Sequence, residues 1–259
     1  MQGELCDRIA LTLSTGQIHD PHGYEALACL KLPGPSYLSV LRTLHLALKP
    51  KLYVEIGVRL GTSLMQADPE TRCIAIDPAP AWPLVPKRPN IQYNISTSDG
   101  FFAREEKREA CRGFDLAFID GDHSFAQAAK DFENLEKLAG PTSIIAIHDV
   151  IPMDEKTAQA EAASPEGFHT GDVWRLMREI VRWRRDLVAF TIACAPSGLG
   201  IVGRFGSYSY GTGTTAWYQR SEPEPYTHDW TVQTRMLNII PNEPDAIRAA
   251  FAGGDHVRI

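Results

Sequence analysis

Leu52-Tyr-Val-Glu-Ile-Gly-Val-Arg-Leu-Gly-Thr62 decides how this chain is read. Leu52 to Ile56 is a short apolar run broken only by Glu55, the pattern of a buried strand. Gly57 and Gly61 follow, then Thr62 and Ser63, residue types that cap helices. Strand, glycine turn and helix start predict a turn of the nucleotide-binding kind. Gly57 lets the backbone turn sharply and lets a ligand approach the main chain, and a helix starting there offers unpaired N–H groups. The spacing is Glu-x-Gly-x-x-x-Gly, so the dinucleotide fingerprint does not fit and a nicotinamide-dependent dehydrogenase is disfavoured.

Downstream, apolar runs ending in polar residues repeat. Cys73-Ile-Ala-Ile-Asp77 places an acid 20 residues after Gly57. In a doubly wound fold such an acid accepts hydrogen bonds from ribose hydroxyls; the alternative is a turn aspartate before Pro78. Residues 78–89 hold five prolines and predict an irregular crossing, with a third strand over 90–94. Ser96 to Gly100 follows at the same sheet edge, where Ser98 and Asp99 either face a ligand or cap a helix over 101–111. Phe114 to Ile119 reads as a fourth strand and Ser143 to Ile147 as a fifth, separated by a helix reaching about Leu138. Asp120, Asp122 and His123 stand at the end of the fourth strand, His148 and Asp149 at the end of the fifth. Strand ends on one edge of a parallel sheet converge on one crevice, and five polar residues there are too many for capping alone.

Around this centre, Ser36 to Lys49 predicts an amphipathic helix ending at Pro50, and His19 to Gly23 a loop. Residues 151–171 form an insert placed either to cover a substrate or to lie as a surface loop. Asp172 is expected to cap a helix over 173–185, with Trp174 facing the core or the site. Leu187–Cys194 and Leu199–Arg204 predict an antiparallel hairpin. From Gly206 onward, Tyr208, Tyr210, Trp217, Tyr218, Tyr226 and Trp230 lie among Gly, Pro, Ser and Thr. They predict an extended arm that packs on its own domain or on a second copy, before a short helix over 244–251.

The 259 residues suit one α/β domain with additions. A net charge of −6 without a long basic run argues against nucleic acid or an anionic membrane as partner. The start has no signal-peptide pattern, and no apolar run approaches the roughly 20 residues of a membrane span. Five scattered cysteines without Cys-x-x-Cys point to free thiols in the cytoplasm.

Four stretches now stand in order: Val54-Glu-Ile-Gly-Val-Arg-Leu-Gly-Thr-Ser63, Ile76-Asp-Pro78, Phe118-Ile-Asp-Gly-Asp-His-Ser124 and Ile147-His-Asp-Val150. Together they resemble the small-molecule O-methyltransferase-like branch of class I S-adenosylmethionine (SAM)-dependent methyltransferases, similar to the macrocin O-methyltransferase and cephalosporin hydroxylase-like group. The resemblance covers roughly residues 36–204. It implies a Rossmann-like doubly wound α/β sheet, mostly parallel with an antiparallel last strand, over 51–205. An N-terminal helical segment (1–50) and a C-terminal extension (206–259) flank it. It implies that Glu55, Gly57, Gly61, Thr62 and Asp77 hold SAM, with Ser98 or Asp99 near adenine and Asp120 beside the cofactor. In metal-dependent relatives, Asp120 and Asp149 would hold a divalent ion such as Mg²⁺ or Mn²⁺. His148 stands where those relatives often carry an acid or amide, and nitrogen suits manganese or zinc better than magnesium. Without a metal, His123 or His148 is the expected general base for a small-molecule hydroxyl; the alternative for either is a supporting or capping role. The rival functions are a hydroxylase-like enzyme on the same fold and a SAM-binding scaffold without methyl transfer.

Overall fold

The computed structural model describes residues 21–82, 84–161, 168–205, 226–227 and 229–252. Residues 1–20, part of the 151–171 insert, and most of the expected arm (Tyr208 to Tyr218) lie outside the described residues. The apolar runs become β1 (Leu52–Ile56), β2 (Arg72–Ile76), β3 (Ile91–Asn94), β4 (Leu116–Ile119) and β5 (Ile144–His148). β6 (Val188–Ile192) and β7 (Leu199–Gly203) form the expected hairpin. A two-residue β8 (Ile239–Ile240) completes one sheet of order β3-β2-β1-β4-β5-β7-β6-β8. β7 runs antiparallel to β5 and β6, whereas β1 to β5 pair in parallel and β8 pairs in parallel with β6. Strand order reverses at β1 and β4, so their carboxyl ends open the crevice at the switch point.

Side-chain alternation divides the core between the two faces of the sheet. Val54, Ile56, Ala117, Ile119, Ile145 and Ile147 pack in one cluster; Tyr53, Phe118, Ile144 and Ala146 pack in the other. The second cluster is covered by α2 (Tyr37–Leu48), whose Val40, Leu41 and Leu44 are buried on one face. Each fully buried leucine there contributes roughly 1.5–3 kcal/mol. The first is covered in part by α1 (Pro21–Lys31), α3 (Ser98–Phe102), α4 (Glu105–Cys111), α5 (Phe125–Glu136) and α6 (Trp174–Trp183). After the arm come α7 (Trp230–Met236) and α8 (Pro244–Ala252), the latter at the expected place.

Several expectations are corrected. No regular helix follows the glycine loop. Only 15 residues separate Ile56 from Arg72, and Pro69 interrupts them, so a 3₁₀ turn at Leu64–Gln66 takes its place. Of the loop expected at His19–Gly23, residues 21–23 instead lie in α1, with Pro21 at its first position; His19 lies outside the described residues. Tyr24, Ala28 and Leu32 are buried at four-residue intervals. The helix over 101–111 divides into α3 and α4, and Thr97 rather than Ser98 or Asp99 caps α3, accepting from Gly100 N at 3.1 Å. Asp172 does not cap α6; its Oδ1 accepts from Phe125 N at 2.6 Å, at the start of α5.

The described parts of the insert are packed turns with Ile151, Met153, Thr157, Ala158 and Thr170 buried. Trp174 faces the core, its Nε1 donating to the Ala158 carbonyl at 3.1 Å. The described cysteines are free: Cys73, Cys111 and Cys194 are buried and Cys29 is exposed. Among the described residues no helix is long and apolar enough to cross a membrane.

Candidate active site

The glycine loop is held from below and from the side. Glu55 is fully buried, accepting from the Tyr53 hydroxyl at 2.7 Å and from Ser63 Oγ at 2.8 Å. Burial raises its pKa to about 8, against the pull of those two hydroxyls. Gly57 has φ +84°, and a Cβ there would overlap the Asp120 carbonyl, so the β1 and β4 turns touch through a glycine-only contact. Asp77 Oδ2 accepts from Val58 N at 2.7 Å and Arg59 N at 2.8 Å, while Oδ1 accepts from Ala79 N at 2.7 Å. A carboxylate has about four acceptor positions, so roughly one remains. Asp77 therefore shapes the loop and its own turn.

Across the crevice, Gln127 Nε2 lies 3.1 Å from Ser98 Oγ and 3.0 Å from Asp99 Oδ1. Lys130 pairs with the other Asp99 oxygen at 3.3 Å. The first side chains of α5 thereby brace the loop after β3. Tyr37 was not signalled by the sequence. It begins α2, bonds through its hydroxyl to Thr62, and lays its ring 4.1 Å from the His148 ring. No local motif marks it, because its place depends on how α2 crosses the sheet.

At the β4 and β5 ends the two histidines differ. His148 is buried; its Nδ1 lies 3.2 Å from Asp120 Oδ1 and 3.4 Å from Asp149 Oδ1. Its Nε2 lies 3.4 Å from Ser197 Oγ, which donates its own proton to Asp149 Oδ1 at 2.6 Å. Both ring nitrogens therefore face acceptors. Burial opposes the charged ring, but Asp149 and Asp120 outweigh it and raise the pKa to about 10. Asp149 sits at φ +59°, a left-handed conformation that aspartate tolerates.

His123 is the accessible one. Its Nδ1 lies 2.7 Å from the His169 carbonyl and so carries the proton. Its Nε2 points to Asp149 Oδ2 at 3.2 Å and Asp120 Oδ1 at 3.9 Å. One ligand atom from each of Asp120, His123 and Asp149 lies within 4.8 Å of the others. A cation bonded at about 2.0–2.3 Å to each fits between them. Two carboxylate oxygens and one imidazole nitrogen suit a divalent transition ion. His148, expected in this set, meets the same carboxylates through Nδ1 but stands outside this group of three.

Residues 54–150 match the family described as a methyltransferase domain. None of the curated proteins matches the chain. Among solved structures, the O-methyltransferase TomG of Streptomyces achromogenes, involved in tomaymycin synthesis and in complex with SAM, is similar. It has TM-score 0.50 and 15% identity over 78% of this chain and 96% of that chain. Also similar are a methyltransferase of Geobacter sulfurreducens (TM-score 0.45, 15% identity, 77% of this chain and 97% of that chain) and the Bacillus cereus O-methyltransferase in complex with SAH (TM-score 0.45, 16% identity, 68% and 84%). At such identities the likeness to TomG is one of fold. In the matched stretch the glycine loop and the Asp120–His123–Asp149 cluster lie at the same carboxyl edge, and Gly57 touches the Asp120 backbone.

Proposed function

We propose that this protein transfers a methyl group from SAM to a hydroxyl of a small molecule. The observation that carries this reading is the meeting of the glycine loop and the Asp120–His123–Asp149 cluster within the stretch that matches the methyltransferase-domain family. Glu55, Gly57, Gly61, Thr62 and Asp77 shape the SAM site, with Ser98 and Asp99 on the adenine side and Asp120 at its reactive end. The acceptor oxygen attacks the methyl carbon as the carbon–sulfur bond breaks and its electron pair stays on sulfur. With no ion in the cluster the hydroxyl proton passes to neutral His123 at Nε2, the nitrogen not bonded to the His169 carbonyl. The chain's contribution is alignment and placement of charge: the His148 imidazolium balances the paired carboxylates from behind, and Tyr37 covers the crevice from the α2 side. A divalent ion held by Asp120, His123 and Asp149 would lower the pKa of a hydroxyl brought to it.

A cavity of about 280 Å³ lies beside the chain leaving β5, and no residue of the proposed SAM site or of the Asp120–His123–Asp149 cluster lines it. Lys31, Ile151, Met153, Tyr226, Trp230 and Gln233 line it. These come from the N-terminal segment, the insert and the tail, and Ile151 is two residues beyond Asp149. The free thiols suit a reducing compartment such as the cytoplasm.

Calorimetric titration of SAM and its demethylated product into EDTA-treated protein tests the reading, followed by repetition with Mg²⁺ or Mn²⁺. Micromolar binding, about −8 kcal/mol, is expected. Absence of binding under every condition would remove SAM from the account.

A further inference from the structure

Residues 168–172 contact the site although they belong to no helix or strand. The His169 carbonyl takes the His123 Nδ1 proton at 2.7 Å, and the two imidazole rings stack at 5.9 Å. Gly171, at φ +64°, lies so near that a Cβ on it would overlap the His123 carbonyl. Asp172 fastens the next turn through Phe125 N at 2.6 Å. The segment is anchored in turn to the rest of the insert. Thr170 Oγ1 donates to the Thr157 carbonyl at 2.7 Å, and His169 Nε2 lies 2.8 Å from the Gln159 carbonyl.

We propose that residues 168–172 are the orienting arm of His123, fixing it as the nitrogen donor of a divalent-metal centre completed by Asp120 and Asp149. With Nδ1–H engaged by a carbonyl, a neutral His123 has its one lone pair on Nε2, aimed at two carboxylates. With no ion present Nε2 also takes up a proton and in that charged form pairs with Asp149 at 3.2 Å; a divalent ion bound among the three ligand atoms would take that proton's place. A carbonyl behind a ligating imidazole fixes its tautomer and ring direction, and loss of such support typically weakens metal affinity 10–100-fold. The nitrogen also sets the preference: Mn²⁺, Co²⁺ or Zn²⁺ is favoured over Mg²⁺, which prefers oxygen.

This inference rests on the proposed use of the same crevice, but its test does not need methyl transfer. Mn²⁺ is titrated into the EDTA-treated full chain and followed by electron paramagnetic resonance, including the weak coupling that a coordinated imidazole nitrogen gives to Mn²⁺. The wild type is expected to bind Mn²⁺ at least tenfold more tightly than Mg²⁺ and to show nitrogen coupling. His123→Ala loses the coupling and binds at least tenfold more weakly. Gly171→Ala, checked by circular dichroism for intact folding, shows reduced coupling and a similar loss. If Gly171→Ala does not fold, the milder Thr170→Val loosens the same anchor and is read in the same way. Wild-type Mn²⁺ without nitrogen coupling, coupling that persists in His123→Ala, or no Mn²⁺ binding would each overturn the proposal. SAM binding in the same preparations separates the two readings: SAM without a nitrogen-bound ion removes only this one, and a nitrogen-bound ion without SAM removes only the methyl-transfer reading.

Discussion

Ser197 Oγ donates to Asp149 Oδ1 at 2.6 Å while lying 3.4 Å from His148 Nε2, so one hydroxyl ties the buried histidine to the buried carboxylate. Its proton is committed to Asp149, which leaves its oxygen to accept from the imidazolium. Ser197→Ala should therefore lose about 1–3 kcal/mol of stability by stranding two polar groups. His148→Ala should lose more, roughly 3–5 kcal/mol, because two carboxylates then lack their buried counter-charge. Urea unfolding at neutral pH measures both. If the two losses are equal and small, the ring is not the charged centre of this cluster.

Glu55 predicts a pH dependence of the opposite sign from a surface carboxylate. Its pKa rises from 4.5 in the reference state to about 8 in the buried site, chiefly through burial. Between those values the folded chain holds a proton that the unfolded chain releases, so this group lowers stability as pH rises. The slope is on the order of 1.4 kcal/mol per pH unit, present from about pH 4.5 to pH 8 and flat outside it. Glu55→Gln keeps the protonated shape and removes the slope. Its urea midpoint should match the wild type near pH 4.5 and exceed it at pH 8. Parallel profiles for the two proteins would show that Glu55 is not held neutral.

Asp77 holds the glycine loop, and the proposed SAM site makes it a test of cofactor affinity. Asp77→Ala frees the amides of Val58, Arg59 and Ala79, and should lower stability by about 1–3 kcal/mol and SAM affinity at least tenfold. Gly57→Ala probes the same loop from the other side. The added methyl meets the Asp120 backbone at an unfavourable φ, and a loss of roughly 2–4 kcal/mol is expected. Calorimetry with SAM, alongside unfolding, checks both. An Asp77→Ala chain that binds SAM like the wild type would remove the ribose role and leave a loop-holding one.

Much of this fold was legible because β1 to β5 are apolar runs closed by punctuating residues, and local pattern is enough to find such strands. Asp120, His123, His148 and Asp149 were legible for the same reason, since strand ends in a parallel sheet must converge. What local pattern does not carry is contact at long sequence distance. Ser197 meets His148 across 49 residues, and the His169 carbonyl meets His123 across 46. Tyr37 reaches the crevice only through the packing of α2. The helix expected after Thr62 failed because a capping residue does not lengthen a segment stopped by Pro69. The role of Asp172 was misplaced because a carboxylate can cap a helix that is not its own.

The tail offers a final test of where stability comes from. β8 pairs with β6, Thr191 Oγ1 donates to the Leu237 carbonyl at 2.9 Å, and Phe251 of α8 packs edge-on against Phe190 at 5.1 Å. A chain ending at Phe205 loses all of these and leaves β6 as an open edge beside an uncovered phenylalanine. Burial of Phe251 alone is worth about 1.5–3 kcal/mol, and an unprotected edge invites strand pairing between copies. The shortened chain should unfold at lower urea and, in light scattering, show larger mass at concentrations where the full chain does not. A smaller mass per particle after truncation would instead assign the tail to a contact between copies. An unchanged urea midpoint would mean that β8 and α8 add nothing to the sheet they border.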